Sequence, residues 1–238
     1  MNWILLGNSG FMNFINLVFG PEDGAGSYYR YHYWIKGISF ALQVTLFAAI
    51  IGIVLGIFIA LLKLSNIKIL KVITNIYVDI IRGTPVYVQL IIFHMVIFAQ
   101  ADIPRVAVGA IAFGINSAAY VSEIIRAGIQ GLDKGQMEAA RSLGMSYGKA
   151  MLYIIIPQAI KNILPTLVSE FIVLLKETSI VGIIGSFDIM KAANTIISQT
   201  GTAIQPLITT AIIYLLLTTT FTFFMRKLER RLRAGDTR

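Results

Sequence analysis

The chain of 238 residues has no cysteine, which excludes a disulfide framework and any thiolate metal or redox site. Charged residues make up only 13% and hydrophobic residues 56%, with a mean hydropathy of +0.75. A soluble domain of this length would not stay in solution with that composition, so we predict an integral membrane protein. His32 and His94 have no metal-ligand partners at a useful spacing, and no metal site is predicted.

The sequence also lacks the nucleotide-binding loop G-x-x-x-x-G-K-[ST]. Its nearest approach, Gly144 to Lys149, has the wrong spacing, and Ala150 follows the lysine. No nucleophile and base set stands out, so the chain is predicted to be neither an enzyme nor the holder of a cofactor. The N-terminus has no basic segment ahead of its apolar residues and no small-residue cleavage site, which argues against a signal peptide.

Four stretches of roughly 20 apolar residues are long enough to cross about 30 Å of hydrocarbon, namely 38–62, 106–125, 151–175 and 207–225. A fifth stretch, 86–99, is too short to cross alone. Its helix must therefore begin among residues 73–84, which places Asp79 and Arg82 inside or at the rim of the membrane. Residues 3–19 contain glycine and asparagine and are predicted to lie at the interface. The predicted fold class is all-α integral membrane, with five transmembrane helices, an interfacial N-terminal segment and a cytoplasmic coupling helix.

Basic residues cluster after the first, third and fifth predicted spans, which all lie on one side of the membrane. The positive-inside rule makes that side cytoplasmic and puts the N-terminus outside. The net charge of +8 follows from this bias and from attraction to anionic lipid, so no nucleic-acid partner is predicted. The predicted organisation is an extracytoplasmic or interfacial segment 1–37, a permease domain 38–225 with a coupling loop at about 128–150, and a basic cytoplasmic tail 226–238.

A short polar helix is predicted over residues 136–143, which are good helix formers. Glu138 and Arg141 lie at i,i+3 on one exposed face, and Ala139 and Ala140 let another backbone approach closely. Gly144 can adopt the left-handed conformation that ends a helix, and a long apolar helix follows. This pattern indicates a docking helix for a partner protein. An ordinary solvated loop between two spans is the alternative.

The stretch 138–157 resembles the signature E-A-A-x3-G-x9-I-x-L-P with which ABC importer membrane subunits bind their ATPase partners, with Ile156 in place of leucine. Other motifs recur in the order found in permeases of the polar amino acid uptake family, of the histidine and glutamine permease type. They are Arg82-Gly83-Thr84-Pro85, Tyr120-x-x-Glu123-x-x-Arg126, Gly135-Gln136-x-Glu138-Ala139-Ala140, Pro157-Gln158-Ala159 and Lys176-Glu177-Thr178-Ser179. Conservative departures at Ser169, Glu177 and Ile180 leave the exact substrate open.

The resemblance implies a prokaryotic plasma-membrane subunit that moves a polar amino acid inward by alternating access. Its implied partners are a second permease subunit, identical or related, two ATPase subunits that bind ATP and Mg²⁺, and an extracytoplasmic solute-binding protein. The implied ATPase-coupling residues are Gln136, Glu138, Ala139, Ala140, Arg141, Gly144 and Pro157. A secondary transporter with a protonated intramembrane carboxylate is the alternative, but no pair of matching halves supports it.

Polar side chains form one stripe on each of two predicted spans. Asn116, Tyr120 and Glu123 fall within about 60° of one another at 100° per residue. The second stripe consists of Gln158, Asn162, Thr166 and Ser169. Intramembrane polar residues usually face the bundle interior or water, so the stripes are predicted to line one cavity, although interhelical hydrogen bonding is the alternative. The candidate substrate-path residues are Thr84, Asn116, Tyr120, Glu123, Gln158, Asn162, Thr166 and Glu170.

Several charged side chains allow two interpretations. Asp79 and Arg82 are spaced to neutralise each other, as are Glu123 and Arg126. Glu123 or Glu170 is predicted to meet the positive charge of the substrate, with a structural ion pair as the competing role. Three further residues precede an apolar, glycine-containing stretch that either re-enters as a gate or forms a surface loop. They are Lys176, Glu177 and Thr178.

Overall fold

The computed structural model describes residues 8–22 and 29–233, and within them every regular element is a helix. The predicted all-α membrane class is confirmed. The part of the predicted interfacial segment before residue 8 lies outside the described residues. The α-helices are α1 (Asn8–Phe19), α2 (Tyr31–Leu64), α3 (Lys68–Gly83), α4 (Val86–Ile92), α5 (Arg105–Gln130), α6 (Lys134–Ser142), α7 (Tyr147–Ala150), α8 (Ile156–Glu177), α9 (Ile189–Thr200) and α10 (Ile204–Arg233). Two π-helical segments, Phe93–Ile97 and Met151–Ile155, and a 3₁₀ segment, Thr178–Ile184, join them.

The centre of the fold is the contact between α2 and α5, which small residues bring close together. Every fourth residue of one α2 face is small and buried, in the series Ala48, Gly52, Gly56 and Ala60. A Cβ atom added at Gly56 would lie 2.6 Å from Val121 Cγ1 of α5. Small residues at such spacing allow the backbone approach that drives helix association in lipid, where hydrophobic burial contributes little.

Two buried clusters surround this contact. One joins α2, α4 and α5 to the 3₁₀ segment through Val44, Leu90, Phe113 and Val181. The other packs Trp34 of α2 against α9 and against Val18 of α1. The 3₁₀ segment therefore lies inside the bundle, and the surface-loop interpretation of this stretch is wrong.

The first long helix begins earlier than the apolar pattern predicts. Helix α2 starts at Tyr31, whereas the predicted segment boundary lies at residues 37 and 38. Hydrogen bonds to the end of α1 order this extra turn. Arg30 Nη1 donates to the carbonyl of Leu17 at 3.1 Å, and Trp34 Nε1 donates to that of Val18 at 3.1 Å.

The predicted second span is broken. Helices α3 and α4 meet at 104°, because Pro85 has no N–H and holds Thr84 in an extended conformation (φ −118°, ψ 143°). By length and composition, three of the described helices can cross a membrane, or four if the bent pair counts as one. Helix α8 carries four charged residues and falls outside that count. The count of five spans thus stays a prediction.

We expect Gly56→Ala to destabilise the protein by about 1–3 kcal/mol, because the added methyl overpacks the α2–α5 contact. This loss should lower the midpoint of thermal unfolding in detergent by a few degrees. Gly148→Ala is the control, since an added Cβ there meets nothing within 4 Å. Equal midpoints for the two variants would contradict the close-packing account.

Candidate functional site: a charged cavity and an exposed docking helix

A cavity of about 500 Å³ lies where the end of α3 meets α5 and α8. Tyr120 and Glu123 of α5 line it together with Asn162 and Thr166 of α8, and Arg82 contributes from α3. The structure thus brings two residues of each predicted polar stripe to one space, whereas the predicted path residues Thr84, Asn116, Gln158 and Glu170 lie outside its lining. The remaining lining residues are Ile124, Ala127, Gly128 and Gly131.

Glu123 is held by cations from three helices. Its carboxylate pairs with Lys63 at the end of α2, accepts from Arg126 Nη2 at 2.8 Å, and lies 4.0 Å from Arg82 Nη1. The Arg82 guanidinium also lies over the Tyr120 ring, 5.1 Å from its centroid. We call Lys63, Arg82, Glu123 and Arg126 the Glu123 cluster. Its three cations and one carboxylate leave a net positive charge at this end of the cavity.

The ion pairs differ in part from the sequence interpretation. The predicted pairing of Glu123 with Arg126 is present. The predicted pairing of Asp79 with Arg82 is wrong, because among the described ion pairs Arg82 reaches Glu123 instead. Asp79 is exposed on the surface of α3.

Glu170 lies further along the polar face of α8, eight residues after Asn162. Its Oε1 accepts a hydrogen bond from Ser117 Oγ of α5 at 3.3 Å, and its charge interacts with that of Arg82. Glu177, seven residues later, is near enough for its charge to interact with that of Glu170. The polar face of α8 therefore becomes acidic away from the Glu123 cluster.

Gln89 holds the break between α3 and α4 and joins it to α5. Its Nε2 donates to the carbonyl of Ile81 at 2.8 Å, to the carbonyl of Thr84 at 3.2 Å and to Thr84 Oγ1 at 2.8 Å. Its Oε1 accepts from Asn116 Nδ2 at 2.9 Å. Gln89 and Asn116 are 6% and 5% exposed, so no solvent would replace these bonds. Sequence reasoning singled out Thr84 and Asn116 for the substrate path and gave Gln89 no role. A polar residue four positions after Pro85 was the available signal.

Helix α6 is exposed and sharply delimited. Asp133 begins it by accepting the Gly135 N–H at 2.8 Å, and Gly144 follows it with φ of +81°. Glu138, Ala139 and Arg141 are exposed, as the sequence predicts for a docking face. Leu143 is 85% exposed, the largest value among the exposed hydrophobic residues described. Sequence reasoning missed this side chain, although a leucine beside the helix-ending glycine was visible.

Helix α6 contacts the start of α8 through two glutamines. Gln158 Nε2 donates to Gln136 Oε1 at 3.3 Å and to the carbonyl of Ile154 at 2.9 Å. The sequence placed Gln158 on the substrate path, whereas here it lies against α6 and outside the cavity lining. Pro157 is the second residue of α8, which directly follows the π-helical segment Met151–Ile155, so the helical backbone continues through a residue that has no N–H.

The stretch predicted as a gate is anchored to the first turn of α5. Thr178 is fully buried, Lys176 is exposed, and Glu177 lies between these extremes. Arg105 Nε donates to the carbonyl of Ile184 at 2.7 Å, at the end of the 3₁₀ segment. Among the described side chains, no group of three or more potential ligands could hold a metal ion.

Comparisons with known proteins extend over most of the chain. Residues 52–234 match the family model described as binding-protein-dependent transport system inner membrane component. The arginine transport system permease protein ArtQ of Bacillus subtilis (strain 168) is 41% identical over 204 residues, covering 85% of this chain and 93% of that protein. The putative glutamine transport system permease protein GlnP of Rickettsia bellii (strain RML369-C) is 39% identical, covering 83% of this chain and 92% of that protein.

Solved structures agree with these matches. A crystal structure of an amino acid ABC transporter with histidines has a TM-score of 0.78 and 48% identity, and covers 84% of this chain and 94% of its own. The MetNI methionine ABC transporter in an inward facing conformation has a TM-score of 0.69 at 17% identity, over 84% of this chain and 95% of its own. At that identity the second match shows the fold alone.

We expect Gln89→Leu to destabilise the protein by about 1–3 kcal/mol for each buried group left without a partner. Gln89→Leu/Asn116→Leu should cost less than the sum of the two single changes, because the double variant removes both sides of the bond. Thermal unfolding of the four proteins measures this coupling. Gln43→Leu, a change at an exposed position of α2, is the control and should have little effect. Additive losses would contradict the proposed role of Gln89.

Proposed function

Because the chain belongs to the binding-protein-dependent transport system inner membrane components, we propose that its cavity carries a polar amino acid across the membrane and that α6 couples this movement to ATP hydrolysis on partner subunits. The resemblance to amino acid ABC permeases is confirmed by relatives at 41% and 39% identity that bear such names. The chain is an amino acid ABC transport permease. No observation on the described residues favours the secondary-transporter alternative.

The coupling proposal rests on the exposed surface of α6 and on the contact of α6 with α8. The exposed surface offers both charged and apolar side chains, and the small Ala139 leaves room for a partner backbone. Its residues are Glu138, Ala139, Arg141 and Leu143. Ala140 is the buried side of the same helix. A displacement of α6 reaches α8 through Gln136 and Gln158, and α8 lines the cavity.

The remaining partners follow from the family. Two ATPase subunits bind ATP and Mg²⁺ on the side of α6, a second permease subunit, identical or related, completes the path, and a solute-binding protein delivers the amino acid from the other side. The basic residues after α2, after α5 and in α10 make the α6 side cytoplasmic and the N-terminus extracytoplasmic.

Glu170 is the better candidate for the positive charge of the substrate. Glu123 has three cations within 4.0 Å, whereas Glu170 takes part in none of the described ion pairs, accepts a hydrogen bond from a serine and interacts with Arg82 at longer range. A carboxylate in low dielectric needs a cation, and every amino acid carries an ammonium group. Tyr120, Asn162 and Thr166 supply polar contacts on the way to Glu123. We assign Lys176, Glu177 and Thr178 to the opposite end, where they lead into the anchored 3₁₀ segment and form a gate.

We expect Gly144→Val to abolish uptake while the protein still inserts at normal abundance. A β-branched residue disfavours the positive φ of +81° found here, so the exit of α6 and its docking face should be misplaced. Co-purification of the ATPase with the permease, measured beside uptake, should be weakened. Gly148→Val is the control, since that position has no positive φ and open space around it. Full uptake by Gly144→Val would exclude the docking role.

We expect Glu170→Gln to reduce uptake by about tenfold or more, a loss of ~1.4 kcal/mol of transition-state binding, because it keeps the shape and removes the charge. The yield of assembled complex should be unchanged. Glu123→Gln should instead lower the yield, since it weakens the partner of three cations. Yield and uptake are measured on the same preparations. Equal loss of both in Glu170→Gln would assign Glu170 a structural role.

A further inference from the structure

Helix α3 has three distinct faces along its 16 residues. One face is buried and includes Thr74 and Val78. A second face is apolar and exposed, with side chains 54–66% exposed, and consists of Ile69, Ile73, Ile76 and Ile80. The third is polar and exposed, and consists of Lys68, Lys71, Asn75, Asp79 and Arg82.

Residues before α3 and at its end converge on one carboxylate. Lys63, five residues before α3 begins, and Arg82, next to its last residue, both reach the carboxylate of Glu123. A helix of this length extends ~24 Å, so it would carry Arg82 far from Lys63 if it crossed the bilayer. The 104° angle to α4 agrees with this, because Gln89 and Leu90 place α4 alongside α5. Helix α3 therefore runs across the direction of the spans.

A helix with an exposed apolar face beside an exposed basic face fits only the boundary between acyl chains and headgroups. The isoleucines need hydrocarbon, whereas the lysines need headgroups or water, and both are available where acyl chains meet headgroups. Because Arg82 of this face lies against Glu123, the face is left with Lys68, Lys71 and Asp79, whose net positive charge attracts anions. A partner subunit would have to cover both faces with a surface that is apolar on one side and acidic on the other.

We propose that α3 lies in the plane of the cytoplasmic leaflet, with its isoleucine face in the acyl region and Lys68 and Lys71 bound to anionic phospholipid headgroups. The assignment to the cytoplasmic leaflet rests on the proposed orientation. Helix α3 carries Arg82 near its end and stops at the break that Gln89 stabilises. Its position in the leaflet therefore also sets the position of Arg82 in the cavity wall. Transport then depends on the anionic lipid content of the membrane.

The depth of α3 is measured on the assembled transporter in vesicles of phosphatidylcholine and phosphatidylglycerol. The chain has no native cysteine, so spin labels are placed singly at Ile69→Cys, Ile73→Cys, Ile76→Cys and Ile80→Cys. Collisions with oxygen and with a water-soluble nickel chelate report depth. We expect four oxygen-accessible sites at similar depth. A steady change of ~16 Å from Ile69 to Ile80 would show a spanning helix and overturn the proposal. Low access to both reagents would show a protein partner and would also overturn it.

Headgroup binding is measured with a fluorophore at Asn75→Cys and spin-labelled phospholipids as quenchers. Phosphatidylglycerol should quench more than phosphatidylcholine, by about twofold or more, because each lysine near the surface attracts anionic lipid. Lys68→Gln/Lys71→Gln should remove this preference, and Lys191→Gln, a basic residue of α9, should keep it. A preference that survives the double change would overturn the lysine assignment. Both measurements report lipid contact independently of uptake, so they stand apart from a failure of the proposed transport function.

Discussion

The close contact between α2 and α5 determines where most other parts of the molecule lie. Gly52 and Gly56 let α5 approach until Ser117 and Val121 touch the α2 backbone face. Ser117 is then directed to Glu170 on α8, and Lys63 at the end of α2 reaches Glu123 on α5. Lipid offers no hydrophobic driving force for such association, so close packing and the Lys63–Glu123 ion pair keep the two helices together. The cavity exists because this pair is fixed and α8 packs beside it.

Charge inside the bundle is distributed unevenly along α8. Cations from α2, α3 and α5 surround Glu123 in the cavity, while Glu170 and Glu177 of α8 lie beyond Thr166 and outside the cavity lining. A buried carboxylate without a partner costs several kcal/mol, so the Glu123 cluster stabilises the assembly of three helices. The same reasoning leaves Glu170 available to a cationic group of the substrate. Glutamate thus has two roles in this bundle, and the neighbouring side chains determine which role each one has.

The break at Pro85 shows how the membrane constrains irregular backbone. The bend leaves the carbonyls of Ile81 and Thr84 without helical partners, and the bilayer core provides no water to replace them. Gln89 satisfies both and is itself satisfied by Asn116. The bend also turns the chain from the direction of α3 into that of α4, which packs alongside α5.

The sequence by itself determined the class, the family and the short exposed helix α6, because these depend on composition and on local spacing. Gly144 was identifiable from its position as the residue that ends α6, and the backbone there has the left-handed conformation that glycine adopts readily. The two polar stripes were visible from helical periodicity. Only the tertiary structure decided that Arg82 pairs with Glu123 and not with Asp79, that Gln158 contacts α6, and that the 3₁₀ segment is buried. These outcomes depend on the angle at Pro85 and on the approach of α2 to α5, which join residues far apart in the chain and leave no periodic signal.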